Sequence, residues 1–106
     1  MHNMVCLIGR ICDDVTIEKD GDKNIANITM AVQRSYKNED GIYETDFIDV
    51  VLYNQLATHT ADYCKKGDLV GVKGAIQNLM VGDTKKTFVI ADKISFLASS
   101  KGKEDE

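Results

Sequence analysis

The chain has 106 residues and a formal net charge of −4, a length that holds one domain and leaves no room for a second full core. With 43% hydrophobic and 28% charged residues, the composition is that of a soluble globular protein and excludes disorder of the whole chain. No apolar run approaches the roughly 20 residues of a membrane-spanning helix, and the negative balance excludes a uniformly basic nucleic-acid binder.

Proline is absent, which favours long uninterrupted elements. Met1-His2-Asn3 carries neither a basic stretch ahead of an apolar one nor an Arg-rich amphipathic segment, so no targeting segment is read there and a cytoplasmic location is expected. Asn3 to Arg10 is β-rich with Gly9 inside it, and the strand resumes at Val15 to Glu18. A glycine within a strand marks a bulge or a sharp bend, as a small barrel needs at its corners. Asp20-Gly21-Asp22 reads as a type I′ hairpin turn. Asn24 to Arg34 is the second strand, with Ile28, Met30 and Val32 on one face and Thr29, Ala31 and Gln33 on the other. Tyr36 stands at the start of a polar loop that runs through Lys37 to Gly41. Tyr43 to Tyr53 is the third strand. Ile48, Val50 and Leu52 form its core face, and Phe47, Asp49, Val51 and Tyr53 share the opposite face.

Gln55 to Lys66 is the one convincing helix, with Leu56, Thr60, Tyr63 and Cys64 along one side. Asn54 is the expected N-cap, Lys65 and Lys66 occupy the last turn, and Gly67 follows as the C′ residue. Leu69 to Leu79 is the fourth strand, with bends at Gly71 and Gly74, and Val81 to Thr84 is a turn. Thr87 to Leu97 is the fifth strand, with Phe88, Ile90, Ile94 and Phe96 on one parity. Asp92 interrupts that parity, which places a bulge or an edge there. Residues 1–97 form the domain, and Ala98 to Glu106 a short flexible charged tail. Three strands, a helix and two strands make an all-β chain whose order is that of the OB-fold, a five-stranded Greek-key barrel with one helix between strands 3 and 4.

Catalysis finds little support. Asp13 and Asp14 point apart in an extended segment, His59 has no nucleophile beside it, and no phosphate loop or nucleophile elbow is present. Cys6, Cys12 and Cys64 are odd in number and form no CxxC, so free thiols are expected and no metal or cofactor. No enzyme is read here.

Binding finds more. Phe47 and Tyr53 lie on one strand face about 20 Å apart, and Tyr36 follows the preceding strand. Exposed rings suit stacking on unpaired bases; packing under the helix, under loops or against a second subunit fits the parity equally well. Arg34 and Lys37 flank Tyr36, Lys65 and Lys66 close the helix, Lys73 lies on the fourth strand, and Lys85 and Lys86 follow the last turn. Cations interleaved with aromatics are what a single-stranded nucleic-acid groove requires. The charge is uneven: residues 1–49 balance to −5 and residues 50–103 to +4, so phosphate contacts should concentrate in the second half.

With these residues the chain resembles the bacterial and bacteriophage single-stranded DNA-binding proteins. The resemblance runs from Asn3 to Leu97. It rests on Asn3-Met4-Val5-Cys6-Leu7-Ile8-Gly9-Arg10, Ile28-Thr29-Met30-Ala31-Val32 ahead of Arg34, and Thr45-Asp46-Phe47-Ile48 with Val50-Val51. Asn54-Gln55-Leu56-Ala57, Tyr63-Cys64-Lys65-Lys66-Gly67-Asp68-Leu69-Val70, Val72-Lys73-Gly74 and Ser95-Phe96-Leu97 complete it. It implies stacking of single-stranded DNA on Tyr36, Phe47 and Tyr53, and a lysine at Lys66 that meets the phosphate backbone. It also implies a homotetramer in which the first strand, Met4 to Ile8, helps to pair subunits; the residues themselves leave a dimer open. Tryptophan, common at the first two stacking sites of the family, is absent. Leu79, Met80 and Val81 stand where the family has basic residues and a further aromatic. The sequence stops at Lys103-Glu104-Asp105-Glu106 without the apolar end of the family's acidic tip, so recruitment of replication and repair proteins is not carried over. The alternative is an accessory, primosomal-type protein-interaction module that keeps the fold and binds DNA weakly.

Overall fold

A computed structural model describes residues 1–99. Its elements are β1 (Val5–Ile11), β2 (Ile17–Asp20), β3 (Lys23–Lys37), β4 (Tyr43–Tyr53), α1 (Asn54–Tyr63), β5 (Leu69–Val81) and β6 (Thr84–Ala98). β1 runs antiparallel to β5 from Val5–Gly74 to Arg10–Leu69. At Arg10 and Ile11 it also pairs with Ala31 and Met30 of β3. β2 then continues along β3, from Ile17–Ala26 to Asp20–Lys23. β3 pairs antiparallel with β4, β4 parallel with β6, and β6 antiparallel with β5. The circuit β1–β3–β4–β6–β5 closes a barrel, and its topology is the OB-fold. The first strand is delivered in two pieces, β1 and β2, as its expected resumption anticipates, but β2 begins at Ile17 and not at Val15 and runs on to Asp20. Gly9 is where β1 crosses onto β3: a Cβ there would lie 2.4 Å from the Ala31 carbonyl oxygen, so only glycine allows the approach.

Alternation fills the barrel. Ile28 and Met30 of β3, Val50 and Leu52 of β4, and Val70 and Val72 of β5 are buried together. Val5, Leu7 and Ile11 of β1 join them, whereas Met4, Cys6 and Ile8 stay exposed. α1 packs against β3 and β4 and buries Ala57 and Thr60. The Thr60 hydroxyl donates to the Leu56 carbonyl at 2.7 Å, which satisfies it inside the core.

Several boundaries differ from the sequence expectation. α1 stops at Tyr63, because Cys64 to Asp68 forms a turn held from outside the helix. Gly67 N–H donates to Ile11 O at 2.7 Å, Ile11 N–H to Asp68 O at 3.0 Å, and the Asp68 carboxylate accepts from Lys65 N–H at 2.7 Å. Lys65 and Lys66 therefore lie beyond the helix, and Cys64, not Gly67, ends it. Asn54 makes no side-chain cap; it is the first helical residue, at φ 56°, a left-handed backbone that asparagine tolerates better than most residues. Tyr63 is exposed against His59, ring centres 4.6 Å apart. In both tight hairpins glycine takes the first central position, Gly21 at φ 65° and Gly82 at φ 64°, while Asp22 and Asp83 keep negative φ. A type I′ turn needs both residues positive, so neither hairpin is one. Val51, expected on the outer face, is buried.

β3 runs on to Lys37, so Tyr36 belongs to the strand and not to a loop. The bulge expected at Asp92 is present: Lys73 pairs with Lys93 and Gly74 with Ala91, which leaves Asp92 without a partner residue. It flips the phase of β6, so that Val89 and Ala91 enter the core ahead of it and Ile94 packs there beyond it. Ala98 pairs with Leu69 and belongs to β6; residues 100–106 of the expected tail lie outside the described residues.

The three cysteines are free and graded in exposure: Cys6 exposed, Cys12 intermediate, Cys64 buried. Burial, and then the nearby carboxylates of Asp68 and Asp13, push the Cys64 and Cys12 thiols above their ordinary range. Since the thiolate is the nucleophile, a small alkylating reagent at neutral pH should modify Cys6 first and Cys64 last. Peptide mass spectrometry over time checks this, and equal rates at Cys6 and Cys64 contradict it.

Candidate functional site

β4 and β6 are paired only at Val50–Val89 and Val51–Ile90. Toward the start of both strands they part, and the β3–β4 and β5–β6 hairpins diverge around a cleft of about 370 Å³. Val5, Leu7, Ile48 and Ile76 contribute an apolar lining, with Phe47 and Asp49 from β4 and Phe88 from β6. The Asn3 side chain fixes one edge: its amide donates to Ile76 O at 2.8 Å and accepts from Ile76 N–H at 2.9 Å. In this way a side chain extends the β1–β5 ladder by one rung.

Phe47 is 67% exposed. Its cross-strand neighbour is Ala31, too small to cover the ring. Asp49, two residues on, accepts from the Thr29 hydroxyl at 3.3 Å and pairs with the Lys86 ammonium at 3.0 Å. The same ammonium lies 5.4 Å from the centre of the Phe88 ring, within cation–π range. A second cleft, about 410 Å³, lies where β1 crosses onto β3, lined by Arg10, Ala31, Gln33 and Thr45 among others. Ala31 lines this cleft and its cross-strand partner Phe47 lines the first, so the two clefts flank one β3–β4 pair.

The other expected site residues are dispersed around these clefts and away from them. Tyr53 shares the Phe47 parity, pairs with Ile25 and is half-buried before α1. Tyr36 is 64% exposed in an irregular stretch of β3 between the Gln33–Thr45 and Lys37–Tyr43 pairs. Lys37 lies 5.6 Å over the Tyr43 ring. Arg34 is held by carboxylates: it donates to both oxygens of Asp46, at 2.9 and 3.0 Å, and to Glu44. These contacts raise the Arg34 pKa further, and the same guanidinium holds the Asp46 carboxyl below its ordinary range. Lys65 and Lys66 sit in the turn that binds the end of β1, where Arg10 donates to Gly67 O at 2.9 Å. Lys73 faces Cys6 on one side and Lys93 on the other. Lys85 precedes Lys86 on β6, so the two point to opposite sides of the strand.

Two residues of the site were not singled out from sequence. Parity groups Phe88 with Ile94 and Phe96, and the bulge breaks that grouping. The spacing Lys86-Thr87-Phe88, cation and ring on one side of a strand, is the pattern that identifies it. Arg10 comes to the second cleft only through the crossing of β1 at Gly9, a long-range event. Among the described residues no group of three His, Cys, Asp or Glu is placed to hold a metal ion, and no helix is long and apolar enough to cross a membrane.

Residues 2–97 match the model of the single-strand binding protein family. The single-stranded DNA-binding protein B of Bacillus subtilis is 37% identical over 103 residues, covering 92% of this chain and 91% of that protein. The single-stranded DNA-binding protein of Streptococcus mutans is 35% identical over 112 residues, covering 100% of this chain and 68% of the relative. Among solved structures, a small single-stranded DNA-binding protein from Streptomyces coelicolor superposes with a TM-score of 0.73 at 21% identity, covering 91% of this chain and 94% of the other. That last likeness is one of fold.

Proposed function

We infer the function from one premise: the chain belongs to the single-strand binding protein family. It binds single-stranded DNA independently of sequence and coats and protects it in replication, recombination and repair. The observation that carries the reading is the Phe47 ring, 67% exposed beside a cleft whose wall it shares with Phe88, with Lys86 held at Asp49 on the same rim. A wet aromatic face stacks any base, and lysines neutralise phosphates. Phe47 is the principal platform, with Tyr53 and Tyr36 as further rings along the strand's path. Lys86 is the nearest phosphate partner; Lys37, Lys65, Lys66, Lys73 and Lys85 line more distant stretches, and Arg34 joins them by exchanging a carboxylate for a phosphate. The family is one of binding proteins, and the reading assigns the chain no catalysis. It works in the cytoplasm as a homotetramer, for which the exposed Met4, just before β1, and Ile8, within it, supply apolar contact surface; sedimentation equilibrium tests the assembly.

A fluorescent oligo-dT titration at two salt concentrations tests the binding. Affinity should fall as salt rises, because phosphate contacts release counterions, with about 0.7 in log–log slope per contact on a single strand. Lys86→Gln should lower that slope by about 0.7, and an unchanged slope removes Lys86 from the contact set. Absence of binding at micromolar protein in low salt would overturn the reading. One observation favours the accessory-module alternative: Arg34 and Lys86 are both already paired with carboxylates. Recovery of a replication partner by a protein with negligible DNA affinity would decide for it.

A further inference from the structure

We propose that Phe88 is a second base-stacking surface, on the wall of the cleft opposite Phe47, and that the Lys86–Asp49 ion pair covers it until a strand enters. The proposal rests on the single-stranded DNA reading above and deepens it. Phe47 comes from β4 and Phe88 from β6, and both line the cleft where those strands part. Val89 and Ala91 take the core positions of β6, so alternation turns the Phe88 ring outward. It is not enclosed: it is half-buried, and the group over its face is the mobile end of Lys86, 5.4 Å from the ring centre. That ammonium is anchored by Asp49 at 3.0 Å, and both partners are partly solvated, with side-chain exposures of 54% and 34%. Such a pair contributes little and opens readily.

The occupant is an unpaired base with its phosphate. The apolar lining of Leu7, Ile48 and Ile76 suits a flat ring, and a volume of about 370 Å³ lies at the lower end of small-ligand sites. The base replaces Lys86 on the Phe88 face. The phosphate replaces Asp49 as partner of the ammonium, so one anion is exchanged for another and no cation is left unpaired. Asp49 keeps the hydrogen bond from Thr29, which holds its carboxylate in place when the lysine leaves.

The chain has no tryptophan, so Phe88→Trp installs a single reporter at the proposed contact. Oligo-dT binding by the parent protein is measured first by anisotropy. The variant should then bind with similar affinity, and its tryptophan emission should be quenched at saturation. Phe88→Leu keeps an apolar side chain and loses the ring; it should bind at least about fivefold more weakly, with its melting profile confirming the fold. Unchanged emission at saturation, together with parent-like affinity of Phe88→Leu, overturns the Phe88 assignment and leaves the DNA-binding reading standing. Failure of the parent protein to bind overturns both.

Discussion

Gly74→Ala should destabilise the domain by about 3 kcal/mol or more, at the upper end of what an overpacked core residue costs. A Cβ at Gly74 would stand 2.0 Å from the Ile90 carbonyl oxygen, 2.9 Å from its carbon and 3.0 Å from Ala91 Cα. All three are backbone atoms of β6, so no side-chain rotation relieves the clash. The strands come this close because the bulge falls here: the register between β5 and β6 shifts between Lys73 and Gly74. Relief would have to push β6 away where it delivers Val89 and Ala91 to the core. The melting temperature should drop by at least about 12 °C, at the 4–8 °C per kcal/mol usual for a domain of this size. Gly71→Ala is the control, since its Cβ would meet nothing nearer than 3.8 Å and should change the melt only slightly. Near-equal melts of the two variants would mean that β5 and β6 yield locally, and that the bulge is a soft feature.

The same bulge marks how far the sequence could be read. β4 was legible because its parity holds: Ile48, Val50 and Leu52 lie inward and Phe47 outward, although Val51, on the outer parity, is buried as well. β6 was legible only as far as Asp92. The residue announced a break, but the phase on either side depends on which β5 residue pairs with which, Gly74 with Ala91 and Lys73 with Lys93, and local sequence does not set that choice. Hence parity alone groups Phe88 with Ile94 and Phe96 and hides its place under Lys86. The end of α1 failed for a similar reason. Lys65 and Lys66 continue a helical pattern locally, but Gly67 and Asp68 are claimed by Ile11, more than 50 positions earlier in the chain. Charge was legible as a total and not as a field. The second half is cationic, yet its Lys86 is paired with Asp49 of the first half, and the Arg34 charge in the first half is absorbed by Asp46 and Glu44. Cross-strand pairing decides whether a cation is available to phosphate, and pairing is a property of the closed barrel.

Phe47→Ala should weaken oligo-dT binding by about 1–3 kcal/mol, or roughly 5- to 150-fold, with little effect on folding. The ring is 67% exposed and faces Ala31 across the ladder, so truncation opens no cavity in the core and should move stability by no more than about 0.5 kcal/mol. What is lost is an exposed π-face on the wall of the cleft between β4 and β6, the surface proposed to stack a base. The ring carries no charge, so the salt slope should match that of the parent protein. This separates the variant from Lys86→Gln, which should alter the slope. Phe47→Trp should restore or exceed the parent affinity, because a larger ring offers more stacking area at the same exposed position. If Phe47 instead packs against a second subunit, Phe47→Ala would lower the assembled mass at concentrations where the parent protein is intact, and the affinity loss would vanish once assembly is restored by raising protein concentration. An affinity loss at unchanged mass and unchanged melt is the result that assigns Phe47 to the DNA.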